Sequence, residues 1–338
     1  MSSAQPGETE LIIGKWGRRM LAAWLLCCAL PCGAAQAADY PTRPIRILAP
    51  FTPGSLSDVR LRKIAEHIGP RLRQPVVIEN RTGGGGMIAA HLAARAAPDG
   101  YTVLFVNDSI FAISPHVQAD AGLDPLTAFA PVIQLANTHF LVTVPAAFPA
   151  RTLQELVAEA RKRSGGLTYG TSGTGTVQHF GTEQFARLAG IQLTQVPYKG
   201  ETETVTALLG GFIDTCLCTY FGVAPHIKAG KLRALAVTSR QRLAILPDVP
   251  TVAESGFPGF SYVVTGGIVA PAGTPPSIVA LLNREMAAAM ASSDLRAFTE
   301  AGGSELVNST PEQFGAYMRR EHERYGRMVR ELGLGGAK

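Results

Sequence analysis

Cysteine is scarce in this chain, and three of its five cysteines, Cys27, Cys28 and Cys32, fall within the first 32 residues. Only Cys216 and Cys218 remain beyond that point. No second Cys or His pair stands at metal-ligand spacing, so the sequence indicates no metal site. Because Cys216 and Cys218 lie two residues apart on a predicted strand, their side chains point to one face. We therefore expect two buried thiols rather than a mutual disulfide.

Motifs for nucleotide binding and for hydrolysis are also lacking. The glycine-rich loop Gly170–Thr176 has no P-loop lysine and does not fit G-x-G-x-x-G. A serine-hydrolase elbow needs glycine where this chain has Thr174. A secreted hydrolase using Ser172 and His179 is thus disfavoured, and His179 is better explained as a structural or capping residue. We expect neither enzymatic activity nor a cofactor.

No apolar run is long enough to cross a membrane. The run Met20–Leu30 follows basic residues between Lys15 and Arg19 and precedes a small-residue pattern ending at Ala37. This arrangement is typical of a cleaved signal peptide, which we place at residues 1–37. The sequence therefore predicts export of a soluble protein to the periplasm.

Positive charge is not concentrated on any segment, although the formal net charge is +5. The arginine-rich segment between Arg319 and Arg330 also carries glutamates at 321 and 323. Mixed charge at helical spacing is typical of a solvated helix face. We therefore expect no nucleic-acid partner.

Strand-like and helix-like segments alternate, which predicts an α/β fold. One unit begins with the strand Ile45–Ala49. A second begins with the strand Leu167–Gly170, followed by the helix Val177–Ala189. Two such units predict two lobes, with the chain crossing between them near Phe140–Val144 and again near Thr265–Ala270. A cleft between lobes is a common ligand site.

Two strand-to-helix loops, Phe51–Asp58 and Gly170–Thr176, are suited to an anion. Each leads to a helix N-terminus, where unpaired amides and the positive end of the helix dipole favour negative charge. Gly54 lets the backbone approach a ligand, whereas Asp58 is better suited to capping the helix or to bonding within the loop. For the glycine loop Thr82–Gly86 we predict a packing role. The sequence thus predicts a receptor for a small acid.

Nine short motifs, in their order along the chain, resemble the periplasmic solute receptors of tripartite tricarboxylate transporters, known as Bug receptors. They are PFTPGSLSD, VVIENRTGGGG, APDGYTVLF, GTSGTGTVQHF, VPYKG, LLGGFID, PHIKAGKLRALAVTS, LPDVPTVAESGFPGF and APAGTPPSIV. The resemblance implies a two-lobed periplasmic-binding-protein (Venus flytrap) fold, each lobe a mixed sheet flanked by helices. It implies a monomer that binds a small carboxylate and delivers it to membrane permease subunits. The alternative is a ligand-sensing receptor that docks on the sensor kinase of a two-component system.

The resemblance also implies domain bounds and a site. Lobe 1 comprises residues 38–141 and 266–338, and lobe 2 comprises residues 142–265. The loops Phe51–Asp58 and Thr171–Thr176 would hold one carboxylate of the ligand. More variable positions would contact the other end of the ligand. The predicted ligand-binding residues are Phe51, Thr52, Gly54, Ser55, Asp58, Thr171, Ser172, Gly173, Thr174, His179, Tyr198, Cys218 and Thr219.

Three residues depart from the family's usual pattern. Ser55 replaces a second glycine in the first loop, and Glu201 follows Tyr-Lys-Gly where a small residue is usual. Cys218 lies where many members carry an acidic or polar residue, which disfavours an amino-acid ligand because an ammonium group needs a carboxylate. These departures bear on the identity of the ligand and not on the fold.

Overall fold

The computed structural model describes residues 40–118 and 122–335, which form alternating strands and helices. The predicted signal peptide lies outside these residues. Within the described part of the chain, no helix is both long and apolar enough to cross a membrane. In chain order the elements are β1 (Ile45–Ala49), α1 (Leu56–Leu72), β2 (Val76–Asn80), α2 (Met87–Ala94), β3 (Thr102–Asn107), α3 (Ser114–Val117), α4 (Pro125–Ala128), β4 (Phe129–Pro145), α5 (Leu153–Lys162), β5 (Leu167–Thr171), α6 (Val177–Ala189), β6 (Leu193–Pro197), α7 (Glu201–Leu209), β7 (Thr215–Thr219), α8 (Tyr220–Lys228), β8 (Leu232–Val237), β9 (Val263–Pro271), α9 (Pro276–Met290), α10 (Ser293–Ala301), β10 (Ser304–Leu306) and α11 (Pro311–Leu332).

The first sheet has the strand order β2-β1-β3-β9-β4-β10. β1, β2 and β3 are parallel, as the helical connections α1 and α2 between them require. β9 runs antiparallel to both β3 and β4, so the sheet is mixed. Four of the five residues of β1 are apolar and buried, which is typical of a strand covered on both faces.

The second sheet has the order β8-β4-β7-β5-β6 and is also mixed. Its strands β5, β6 and β7 are parallel, and β4 is antiparallel to β7 and β8. β4 spans 17 residues and belongs to both sheets. It pairs with β9 up to His139 and with β7 from Phe140 onward. The predicted lobe bounds fall close to this change of partner, and the division into lobes stays a prediction.

The apolar segment Phe140–Val144, predicted to be a strand, is only the second half of β4. The first half carries Pro131, and its pairing with β9 shifts register between Pro131 and Ile133 and between Gln134 and Ala136. These irregularities interrupt the alternation of polar and apolar residues that marks a strand. The observed strand, Phe129–Pro145, is therefore longer than the predicted strand at 140–144.

The C-terminal helix α11 holds the π-helical turn Ser109–Ile113 in place. Its N-terminus has a capping box, in which Thr310 and Gln313 exchange side-chain and backbone hydrogen bonds. One face of α11 is buried, and its Phe314 packs edge-on against Phe111 with ring centroids 6.2 Å apart. This packing fixes the backbone directly after β3, where the cavity described below begins.

The structure corrects the prediction for the two cysteines of β7. Cys216 and Cys218 are joined by a disulfide, with their Cα atoms 5.7 Å apart. Side chains at i and i+2 of a strand share a face, and this Cα separation lies within the usual disulfide range. The placement on one face thus permits the bond rather than preventing it. Both residues are buried, as predicted, but the disulfide leaves neither of them with a free thiol.

Candidate ligand-binding site

A cavity of about 100 Å³ lies where the carboxyl ends of β1, β3, β5 and β7 converge. In open α/β sheets this edge is the usual ligand site, because the loops that leave the strands meet there. The middle parts of β4 and β9 also contribute to the wall. The lining residues are Pro50, Phe51, Thr52, Ser55, Leu56, Ser57, Arg60, Gly83, Gly85, Gly86, Phe105, Asn107, Ser109, Thr138, Phe140, Ser172, Thr176, Val177, Gln178, Lys199, Gly200, Glu201, Thr219, Val264, Thr265 and Gly266.

Two helix N-termini face this cavity. The side chain of Ser55 caps α1 by accepting a hydrogen bond from the Asp58 amide. The next amides, those of Leu56 and Ser57, have no partner among the described residues. At α6 the amide of Gln178 is likewise unpaired within the described chain. These N–H groups and the two helix dipoles make the cavity suited to a carboxylate.

The first loop is held by Asp58, which is almost fully buried. Its carboxylate accepts hydrogen bonds from the Gly54 amide, from Arg62 and from Asn80, at 2.8 to 3.0 Å. Burial alone would raise the pKa of Asp58. The hydrogen bonds from Arg62, Asn80 and Gly54 outweigh burial and hold that pKa below its ordinary value. Asp58 is thus an ionised group that shapes the loop, and it does not line the cavity.

The second loop, Gly170–Thr176, is held by hydrogen bonds among its own residues and to His179 in the helix that follows. The hydroxyl of Thr171 accepts a hydrogen bond from the Gly173 amide at 3.2 Å, and the Thr176 hydroxyl donates to the Gly173 carbonyl at 2.7 Å. His179 Nδ1 accepts from the Gly175 amide at 3.3 Å. Burial lowers the pKa of His179, which keeps it neutral and able to accept this bond. His179 therefore orients the loop and stands behind the cavity wall.

Glu201 is an acidic group in the cavity lining. Its carboxylate accepts hydrogen bonds from the amide and the hydroxyl of Thr219, at the end of β7. Burial raises the pKa of the Glu201 carboxyl, and the two bonds from Thr219 oppose part of that rise. Lys199, two residues earlier, is exposed at the same side of the cavity.

The structure brings together only part of the predicted site. Phe51, Thr52, Ser55, Ser172 and Thr219 line the cavity. Other predicted residues stand behind it, and Tyr198 and Cys218 pack in the apolar core of the second sheet. The predicted residues outside the lining are Gly54, Asp58, Thr171, Gly173, Thr174, His179, Tyr198 and Cys218. For all of these residues, a role in ligand binding stays a prediction.

The glycine turn predicted only to pack has a second role. Gly83, Gly85 and Gly86 line the cavity, and Gly85 lies directly opposite the second loop. A Cβ atom on Gly85 would stand 3.2 Å from Ser114 Oγ and 3.4 Å from the Thr174 carbonyl oxygen. The turn thus lets the two sides of the cavity approach closely.

Arg60 lines the cavity but is absent from the predicted site, although its position in the sequence carries a signal. Leu56, Arg60 and Ile64 lie four residues apart, and all three are buried on one face of α1. A charged residue on the apolar face of a helix is unusual without a partner. The residues that β4 and β9 contribute, such as Thr138 and Gly266, carry no comparable signal.

These features define the class of the protein. Two mixed α/β sheets that share strand β4, with a cavity at the carboxyl ends of their parallel strands, form the periplasmic-binding-protein fold. A sequence profile described as "Tripartite tricarboxylate transporter family receptor" matches residues 60–334. The chain belongs to this family, whose members are binding proteins rather than enzymes.

Individual relatives agree with this assignment over nearly the whole chain. Protein BugT of Bordetella pertussis is 34% identical over 299 residues, which are 88% of this chain and 92% of BugT. Rpa4515 of R. palustris, solved with adipate, superposes with a TM-score of 0.84 at 33% identity, over 88% of this chain and 99% of Rpa4515. MatC from Rhodopseudomonas palustris, solved with malate, superposes with a TM-score of 0.82 at 29% identity, over 86% of this chain and 100% of MatC.

Proposed function

We propose that this chain is a periplasmic receptor that binds a small organic carboxylate in the cavity between its two sheets. The receptor then delivers the acid to the membrane permease of a tripartite tricarboxylate transporter. Residues 1–37 would direct its export, and the receptor would act without a metal or a covalent step.

The observation that carries this proposal is the meeting of two capped helix N-termini at one cavity. The unpaired amides of Leu56, Ser57 and Gln178 offer donors to carboxylate oxygens without any need for a charged partner. Hydroxyl groups from Thr52 and Ser172 stand in the same lining. The relatives solved with adipate and with malate support a carboxylate as ligand.

Binding would be coupled to closure, since the ligand can contact both sides only when they are together. A ligand that prefers the closed arrangement shifts the population toward it. The permease can then distinguish a loaded receptor from an empty one by its shape.

The test begins with the purified, exported protein and a panel of mono-, di- and tricarboxylates in a thermal-shift assay. A ligand present at about 100 times its Kd should stabilise the protein by about 2.7 kcal/mol. Mass spectrometry under native conditions identifies any acid that copurifies. No stabilisation by any acid, together with no copurified acid, would refute the proposal.

Delivery needs a separate measurement. Cells that carry the permease should take up the labelled acid only when the receptor is also present. Uptake that is independent of the receptor, together with phosphorylation of a sensor kinase that depends on it, would contradict delivery and support the signalling alternative.

A further inference from the structure

Arg60 is the buried cation of the cavity wall. It lies in α1, one helical turn after Leu56, and only 1% of its surface is exposed. Its Nε and Nη2 atoms have no hydrogen-bond partner among the described residues. No carboxylate in the described part of the chain forms an ion pair with it, in contrast to Arg62 of the same helix, which pairs with Asp58.

The guanidinium group is nevertheless charged at neutral pH. Burial lowers the pKa of Arg60 to about 10, which still leaves the group protonated. A buried cation without a counter-charge costs several kcal/mol of stability. Another molecule can supply the missing anion, because Arg60 lines the cavity.

We infer that Arg60 forms a salt bridge with a carboxylate of the ligand. A guanidinium group offers parallel N–H donors that match the two oxygens of a carboxylate. A bidentate contact uses either Nε with Nη2 or the two Nη atoms, and both Nε and Nη2 of Arg60 are enclosed without a partner among the residues that the structure describes. This inference rests on the proposed function and adds a residue and a class of ligand to it.

The ligand class follows from the buried groups of the lining that can hold negative charge, since Lys199 is exposed to solvent and the Glu201 carboxylate is bonded to Thr219. The helix N-termini of α1 and α6 can hold one carboxylate through neutral amides, and Arg60 supplies a full positive charge for another. Phe105 and Phe140 line the same cavity and would contact the apolar carbons between the two groups. The receptor is therefore selective for acids with at least two carboxylates over monocarboxylates of the same length.

The experiment compares adipate with hexanoate, which has the same number of carbon atoms and one carboxylate. Isothermal titration calorimetry is carried out on the wild-type protein and on Arg60→Met, which keeps most of the side-chain volume. We expect Arg60→Met to lower the affinity for adipate on the order of 100-fold. The affinity for hexanoate should change less than about threefold. Succinate and glutarate extend the comparison to shorter diacids.

Thermal unfolding without ligand separates a binding role from a structural one. Because Arg60 is unpaired, Arg60→Met should unfold at the same temperature as the wild type or at a higher one. A second variant, Arg60→Lys, keeps the charge but not the bidentate geometry, and its affinity for adipate should be intermediate. Lys63→Met is the matched control, since Lys63 is one turn further along α1, contacts the Phe298 ring and does not line the cavity.

Three results would overturn the inference while leaving the proposed function intact. One is equal affinity of the wild type for hexanoate and adipate. Another is an unchanged affinity of Arg60→Met for adipate. The third is a loss of affinity for both acids in Arg60→Met together with a lower unfolding temperature. If the wild type binds neither these acids nor any other acid of the panel, the proposed function itself fails.

Discussion

At the scale of single residues, Asp108 shows how strongly burial raises the pKa of a carboxyl group near the cavity. Asp108 is completely buried at the end of β3 and accepts a hydrogen bond from the Thr265 amide at 2.6 Å. Burial, with a contribution from Glu321, raises its pKa to about 7, and the bond from Thr265 and the charge of Arg324 oppose part of this rise. The adjacent residue on each side of Asp108 lines the cavity.

This raised pKa predicts a dependence of stability on pH. Between about pH 4 and pH 7 the folded protein binds a proton at Asp108 that the unfolded chain has released, so the free energy of unfolding falls as pH rises. The contribution is on the order of 2–4 kcal/mol across that range. Asp108→Asn should remove it, because an amide does not ionise.

Urea denaturation of the wild type and of Asp108→Asn at several pH values measures this dependence of stability on pH. The stability of Asp108→Asn relative to the wild type should rise steadily between about pH 4 and pH 8. All other residues are the same in both proteins, so their contributions cancel in the difference. A difference that is constant with pH would contradict the assignment.

At the scale of elements, the turn Gly83–Gly86 sets the distance between the two sides of the cavity. All four glycines have positive φ, which other residues adopt at a cost. Gly85 faces Ser114 and the carbonyl of Thr174, so this turn touches a loop more than 80 residues away in the chain.

Gly85→Ala should therefore weaken binding as well as stability. The positive φ of 64° costs about 1 kcal/mol for alanine. The new methyl group would crowd Ser114 Oγ and lie against the Thr174 carbonyl, so the turn must shift by a few tenths of an ångström, and we expect ligand affinity to fall roughly tenfold. Calorimetry with the best acid of the panel measures the affinity, and denaturation measures the stability.

Gly165→Ala is the matched control. Gly165 has a φ of 85°, and a Cβ atom there would meet nothing within 4 Å. It should show the same cost in stability of about 1 kcal/mol with unchanged affinity. Equal affinities for the two variants would refute the role of Gly85.

At the scale of the whole molecule, a few hydrogen bonds join the two sides of the cavity. The Val177 amide at the start of α6 donates to Ser109 Oγ at 2.9 Å. Ser114 Oγ donates to the Gly175 carbonyl at 3.2 Å. Both serines follow β3 in the first sheet, and both partners lie after β5 in the second. If binding is coupled to closure as proposed, these bonds would stabilise the arrangement in which the two sides are together.

The double variant Ser109→Ala/Ser114→Ala should release its ligand faster. Each bond contributes about 1 kcal/mol, so the affinity should fall roughly tenfold or more, mainly through a higher dissociation rate. Stopped-flow measurements give the two rate constants. Ser255→Ala is the control, because the buried Ser255 hydroxyl donates within its own turn, to the Thr251 carbonyl. An unchanged dissociation rate in the double variant would contradict the prediction.

The sequence predicted the alternation of strands and helices well because buried parallel strands and capped helices have local signatures. Four of the five residues of Ile45–Ala49 are apolar, and a threonine, Thr176, directly precedes α6 and caps it. The first half of β4 lacked such a signature because it is irregular. The prediction that Cys216 and Cys218 form no mutual disulfide was wrong, because the sequence alone does not give the separation of their two Cα atoms.

The sequence by itself determined the family, the α/β class and the two loops that end at helix N-termini, because each depends on residues close together in the chain. Only the tertiary structure decided which side chains face the cavity. It turned Asp58 and His179 toward their own loops and placed the turn at Gly85 opposite Thr174. It also left Arg60 buried without a partner. Such contacts depend on how distant segments pack, and packing is a property of the whole fold.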